Sequence, residues 1–95
     1  VFLHITQAKY IADYKIEVCF NNGRKGIADL FEALKGGLFE SLKNKKNFSS
    51  FVVDQELETI VWSNGVDLAP EYIYYIAFKH DESLHPQFKQ WGYLS

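Results

Sequence analysis

The clearest alternation of apolar and polar positions lies in residues 14–20, "YKIEVCF". Tyr14, Ile16, Val18 and Phe20 fall on one side of an extended chain, and Lys15, Glu17 and Cys19 on the other. Successive side chains of a strand point to opposite faces, so this stretch predicts a strand with one face in the core. Residues 2–11, "FLHITQAKYI", are β-branched and aromatic enough for a preceding strand, although their alternation is imperfect. Asn22-Gly23 comes next. Such a pair supplies the positive φ angles of a type I′ turn, so a two-residue hairpin loop is expected. That loop would set Phe20 opposite Lys25 and Val18 opposite Ile27, and would bring Ile27 onto the apolar face.

The period then changes. Asp29 is a suitable N-cap, and Glu32 three residues later completes a capping-box pattern, with Leu30, Phe31 and Leu34 on the expected buried face. The apolar spacing runs on through Leu38, Phe39 and Leu42, but Gly36-Gly37 interrupts it. Two adjacent glycines cost a helix roughly 2 kcal/mol relative to alanine, which favours a short helix, a break and a second short turn. After the solvated connection "KNKKN", residues 48–54 and 58–62 read as two strands. The short link "QEL" makes them antiparallel neighbours.

The stretch 62–72, "WSNGVDLAPEY", reads as a strand-to-helix corner. Trp62 ends a strand and Asn64-Gly65 supplies a turn. Asp67 is placed to accept hydrogen bonds from the free N–H groups of the next helix, in the manner of a cap. Pro70 suits the first helical position. Tyr72, Ile73, Ile76 and Ala77 are spaced for a short helix over 70–78, while the sheet preference of Tyr and Ile leaves a strand open. The tail over 79–95 is mostly polar, with Phe88, Trp91 and Tyr93 suited to dock part of it. These elements predict one α+β domain over residues 1–95. It is a small, mainly antiparallel sheet of about five strands in two hairpins, with one or two short helices packed on it.

Composition narrows the class. The chain has 95 residues, 47% hydrophobic and 17% aromatic, too apolar for disorder. Its net charge of -2 and pI near 5.9 argue against a free-standing nucleic-acid binder, which is usually basic. A single cysteine, Cys19, allows no internal disulfide and fits a reducing, cytoplasmic setting. No apolar run reaches the roughly 18–20 residues of a membrane span, and "VFLHITQAKY" lacks the features of a signal peptide.

Candidate chemistry is sparse. Cys19 has no legible His partner and reads as a half-buried packing residue. His80, Asp81 and His85 match no metal-ligand spacing. Asp54, Glu56 and Glu58 cluster at a turn, where acidic residues keep a sheet edge soluble. Lys43, Lys45 and Lys46 form the one basic cluster, read as a solvated loop. Neither a phosphate loop nor a cofactor motif is legible, so no enzyme activity and no cofactor are expected. Tyr72 and Tyr75 share a side if 70–78 is helical, with Tyr74 pointing elsewhere. They serve either as a protein interface or as core.

Three stretches together, "YKIEVCFNNGRKGIADL", "GLFESLKNKKNFSSFVVD" and "TIVWSNGVDLAPEYIY", resemble a bacterial family of small domains of unknown function, DUF 2442, over about residues 5–76. The shared pattern falls on Phe20, Gly23, Asp29, Leu30, Phe39, Leu42, Phe48, Trp62, Asn64, Gly65, Asp67 and Pro70. Its most specific part is W-x-N-G-x-D-x-x-P, and residues 79–95 lie outside it as a C-terminal extension. The resemblance implies an α+β fold, no assigned activity and no catalytic residues. It also implies stand-alone members, some with an added helix-turn-helix domain, and many encoded beside another small protein in a toxin–antitoxin-like arrangement. This chain has no room for a helix-turn-helix domain, so direct DNA reading is not expected. The leading expectation is a non-enzymatic module that binds a protein partner, in the manner of an antitoxin. A homodimer through edge strands is a further expectation. The alternative is a ligand-sensing domain with a pocket beside Trp62, Asn64 and Asp67.

Overall fold

A computed structural model describes residues 2–94, so the two terminal positions of the expected 1–95 domain lie outside the described residues. It shows the α+β class, with five strands in two antiparallel sheets and several short helices. Strands β1 (Ile5–Ala12), β2 (Lys15–Phe20) and β3 (Lys25–Asp29) form a meander in the order β1-β2-β3. The imperfect alternation of β1 has a structural cause: its pairing with β2 shifts register between Ile5 and Gln7 and again between Tyr10 and Ala12. Each shift inserts one extra residue and turns the residues beyond it to the other face. In β2 the alternation is clean, and Ile16, Val18 and Phe20 are buried.

The β2–β3 register differs from the sequence expectation. Cys19, not Phe20, lies opposite Lys25, and Glu17 lies opposite Ile27. The connection is a three-residue loop, Asn21-Asn22-Gly23. The Gly23 N–H donates to the Phe20 carbonyl (3.0 Å), the Phe20 N–H donates to the Arg24 carbonyl (2.9 Å), and Gly23 takes φ +87°. A turn ending in one left-handed residue is the second common hairpin loop, and its extra residue slides the register by one. Ile27 therefore stays 50% exposed, while Ala28 is buried. Gly26 also faces inward. A Cβ there would stand 2.7 Å from Phe78 Cε1, so glycine lets the helix carrying Phe78 sit close to the strand.

Asp29 ends β3 instead of capping an α-helix. Its Oδ1 accepts from the Phe31 N–H at 3.1 Å and opens a 3-10 turn over Phe31–Ala33. Glu32 closes no capping box; it pairs with Lys35 at 3.0 Å. Leu30 and Leu34 are buried as expected, but Phe31 is 46% exposed and leans on Tyr14. Gly36 and Gly37 both take positive φ and separate this turn from a second 3-10 run over Gly37–Lys43, which buries Leu42. The strand expected over 48–54 shortens to β4 (Val52–Asp54). Upstream, Asn44 accepts from the N–H groups of Lys46 and Asn47 and starts helix α1 (Lys45–Phe48), which buries Phe48. Strand β5 (Thr59–Val61) pairs antiparallel with β4. Helix α2 (Pro70–Phe78) has Pro70 in its first turn, so 70–78 is helix and not strand. The tail is ordered as a 3-10 turn over Glu82–Leu84 and helix α3 (His85–Gln90), docked through buried Phe88.

One apolar cluster joins the inner face of the three-stranded sheet to β5, α2 and α3 through Ile16, Val18, Ala28, Ile60, Ile73 and Phe88. Among the described residues no helix is long and apolar enough to cross a membrane.

Candidate functional site

The expected site residues of the corner are held by the fold itself. Trp62 is only 2% exposed, and its indole N–H donates to the Phe48 carbonyl at 2.7 Å. Phe48 and Phe51 pack against its ring. Neither the ring nor the N–H is open to a ligand. Asn64-Gly65 forms the turn, with the Gly65 N–H on the Trp62 carbonyl and the Trp62 N–H on the Val66 carbonyl, both 2.9 Å. The Asn64 amide donates to the Leu38 carbonyl at 3.0 Å, tying the corner to the 3-10 run. Asp67 does not cap α2. Its backbone bridges to Val61 in extended form, and the N-cap of α2 is Ala69, two residues later, with no side-chain cap before the helix starts at Pro70. The Asp67 side chain makes no hydrogen bond to the free N–H groups of the helix start.

The tyrosines of α2 divide as helical spacing requires. Tyr74 is buried against Phe20 (4.9 Å between ring centroids) and Phe78 (4.8 Å). Its hydroxyl accepts from Asn22 at 3.3 Å, and the Arg24 guanidinium approaches at 3.5 Å. Tyr72 and Tyr75 are half-buried and converge on Tyr93 of the tail. Tyr75 and Tyr93 stack at 5.2 Å, and Tyr72 meets Tyr93 edge-on at 5.7 Å. Among the described residues the hydroxyls of Tyr72, Tyr75 and Tyr93 have no hydrogen-bond partner. Burial pushes the Tyr72 and Tyr93 phenols above the usual tyrosine range; Tyr75 reinforces this for Tyr72, and Glu71 for Tyr93. Both are therefore neutral donors at physiological pH. The Tyr72–Tyr75 pairing was legible from helical spacing. Tyr93, expected to help dock the tail, joins them through a contact between distant segments that local sequence does not reveal.

A second aromatic group lies at the other end of the core. Phe48 contacts Tyr10, Tyr14 and Trp62, and Tyr14 also meets Phe31. Among the described residues no ring pair links this group to the one around Tyr74.

Several of the remaining candidates have structural partners. His4, Thr6, Asp54, Gln55 and Glu58 line an open cleft of about 340 Å³ between the start of β1 and the β4–β5 hairpin. His4 Nδ1 lies 2.9 Å from Glu58 Oε2, a pairing of distant segments that local sequence does not reveal. Asp54 is occupied in the turn, accepting from the Glu56 and Leu57 N–H groups. Lys43 pairs with Glu40 (3.0 Å) and Lys45 with Asp13 (2.9 Å). Cys19 is half-buried in β2, opposite Gln7 and Lys25. Asp81 accepts from the Ser83 N–H and hydroxyl and from Arg24 at 2.9 Å; these bonds hold its carboxyl below the usual range. His85 Nε2 lies 3.1 Å from the Lys79 carbonyl. Among the described residues no three His, Cys, Asp or Glu side chains are grouped to hold a metal ion.

Comparison with known proteins places the chain. The model of the family "Protein of unknown function (DUF2442)" matches residues 5–79, and the chain belongs to that family. No curated protein matches the sequence. The fold is similar to the crystal structure of "Putative DNA Binding Protein NE0471" from Nitrosomonas europaea ATCC 19718, with a TM-score of 0.75 and 14% sequence identity. The similarity covers 99% of this chain and 63% of that one, so the chain spans under two thirds of that structure's length.

Proposed function

We propose that this DUF2442 member is a non-enzymatic interaction module that binds a protein partner through the tyrosine face of α2 and the tail, as an antitoxin-like component beside a neighbouring small protein. The observation that carries this reading is the group of half-buried Tyr72, Tyr75 and Tyr93, whose rings pack on one another while their hydroxyls have no hydrogen-bond partner among the described residues. Tyrosine presents a large apolar body and a polar tip, and a ring already held in place loses little freedom on binding. Aromatic side chains of this kind are enriched at protein interfaces.

The name of NE0471 raises DNA binding as a competing reading. The lysine loop favours it less, because Lys43 and Lys45 are already matched by Glu40 and Asp13. Affinity capture from the native host tests the proposal. The tagged wild type is expected to hold a stoichiometric protein partner that Tyr72→Ser releases and Lys46→Ala retains. A wild-type chain with no stoichiometric partner, or one whose partner is indifferent to Tyr72→Ser, would overturn it. Both variants would first be checked for an unchanged circular dichroism spectrum.

A further inference from the structure

The three-stranded sheet has two edges, and they are treated differently. The β1 edge is met by the second hairpin, where the Ile5 N–H donates to the Glu58 carbonyl at 2.9 Å. The β3 edge ends the sheet, and among the described residues its outward backbone groups have no partner. The ladder identifies these groups. Phe20 bonds to Arg24 and Leu30 bonds to Tyr14, so in β3 the even-numbered residues face β2. In an antiparallel ladder bonding alternates, so the N–H and C=O groups of Lys25, Ile27 and Asp29 point outward. The same three residues carry the exposed side chains of the strand.

We propose that the β3 edge is a self-pairing interface, taking as its partner the β3 edge of a second copy of this chain. The sequence Lys25-Gly26-Ile27-Ala28-Asp29 is complementary to itself when reversed about Ile27. A two-fold axis there sets Ile27 beside the partner's Ile27. Lys25 then lies beside the partner's Asp29, and Asp29 beside the partner's Lys25. This register uses the outward-pointing residues, each pair exchanging two backbone hydrogen bonds. It also places opposite charges directly across the seam, at the separation where cross-strand pairs attract. Lys15 already lies opposite Asp29 within the chain, so in the pair each Asp29 carboxylate stands between two lysines. A symmetric dimer requires such self-complementarity, and an edge with unpaired groups is the usual place for strand addition. The inner face of β3 is occupied by α2 through Phe78, which leaves the edge and the outer face for the partner. The seam is short, so the dimer is a weak one whose mass depends on concentration.

Sedimentation velocity of the whole chain, from micromolar to millimolar concentration, tests this. The wild type is expected to move from one copy to two. Lys25→Asp and Asp29→Lys each set like charges across both ends of the seam and are expected to weaken dimerisation by roughly tenfold or more. An equimolar mixture of the two variants restores opposite charges at both ends and is expected to form a heterodimer. Ile27→Pro removes an outward N–H that the internal ladder does not use, so it is expected to keep the fold and lose the dimer. If Asp29→Lys disturbs the turn at Phe31, Lys25→Asp and Ile27→Pro decide the question. A wild type that stays monomeric at millimolar concentration overturns the proposal. So does a dimer indifferent to Lys25→Asp and Ile27→Pro.

Discussion

The protein makes the same turn twice and uses it for two purposes. In "FNNGR" and in "WSNGV" an aromatic residue begins the loop, its carbonyl accepts from the glycine N–H, and its own N–H donates to the residue after the glycine. In both, the asparagine Oδ1 accepts from the N–H of the residue after the glycine, at 3.0 Å for Asn22 and 3.3 Å for Asn64. The glycines take φ +87° and +89°. What differs lies outside the loop. At the first turn both arms continue as β2 and β3. At the second, the outgoing arm makes only a bridge from Asp67 to Val61 before α2 begins. The first turn rests on α2 and the tail, through Tyr74 and the Arg24–Asp81 pair. The second rests on the 3-10 run and α1, through Leu38 and Phe48. Local sequence therefore sets the shape of each turn, and the packing partner sets what the turn supports.

The comparison breaks most sharply at the aromatic residue. Trp62→Ala should cost about 3–5 kcal/mol in urea unfolding. It should exceed Phe20→Ala, because it also leaves the buried Phe48 carbonyl without its donor, a further loss of about 1–3 kcal/mol. At the glycines the two turns should behave alike. Gly23→Ala and Gly65→Ala each force a left-handed alanine and should cost about 1–2 kcal/mol, agreeing within roughly 0.5 kcal/mol. Asparagine-to-aspartate changes separate the turns again, since they keep the acceptor and remove the amide donor. Asn64→Asp loses the bond to the Leu38 carbonyl and should cost about 0.5–1.5 kcal/mol by the same assay. Asn22→Asp loses only the longer contact to Tyr74 and gains a charge near Arg24, so little change is expected. Asp67→Ala should shift stability by no more than about 0.5 kcal/mol, because the side chain caps nothing; a larger loss would restore its capping role.

The smallest effect concerns the Arg24–Asp81 pair. The Asp81 carboxyl is held low by Ser83 first and Arg24 second, while the Arg24 guanidinium is raised chiefly by Asp81. Because Asp81 is depressed, its contribution is present in full above the unfolded value, near pH 4, and is lost as pH falls through the folded one. The melting advantage of wild type over Asp81→Asn should therefore vanish in acid. An advantage that persists there would assign it to packing.

The readable parts of the sequence were those that local rules determine. The face of β2, the break at Gly36-Gly37 and the start of α2 at Pro70 come from side-chain period, glycine conformation and the fixed φ of proline. So does the division of Tyr74 from Tyr72 and Tyr75. The β2–β3 register was missed because an Asn-Gly pair serves both a two-residue loop and the end of a three-residue one, and only the pairing beyond it distinguishes them. The short helix α1 was hidden by a lysine run whose Asn44 cap looks like any loop asparagine. Asp67 sits at a plausible capping distance in sequence but is diverted by its bridge to Val61. The tail carries few apolar residues, yet Phe88, Trp91 and Tyr93 suffice to dock it on α2. Tyr93 and the His4–Glu58 contact depend on segments far apart in the chain, which periodicity does not join.

The separation of the two aromatic groups has a spectroscopic consequence. Each group contains one of the two tryptophans, Trp62 with Phe48 and Phe51, and Trp91 with Tyr74 and Phe88. Intrinsic fluorescence therefore carries two separable reporters, one deep in the body of the fold and one where the tail meets α2. With Trp62 or Trp91 changed to Phe in turn, emission from the remaining indole tracks each end of the molecule alone. The release of the tail from α2 can then be timed against the melting of the rest of the fold.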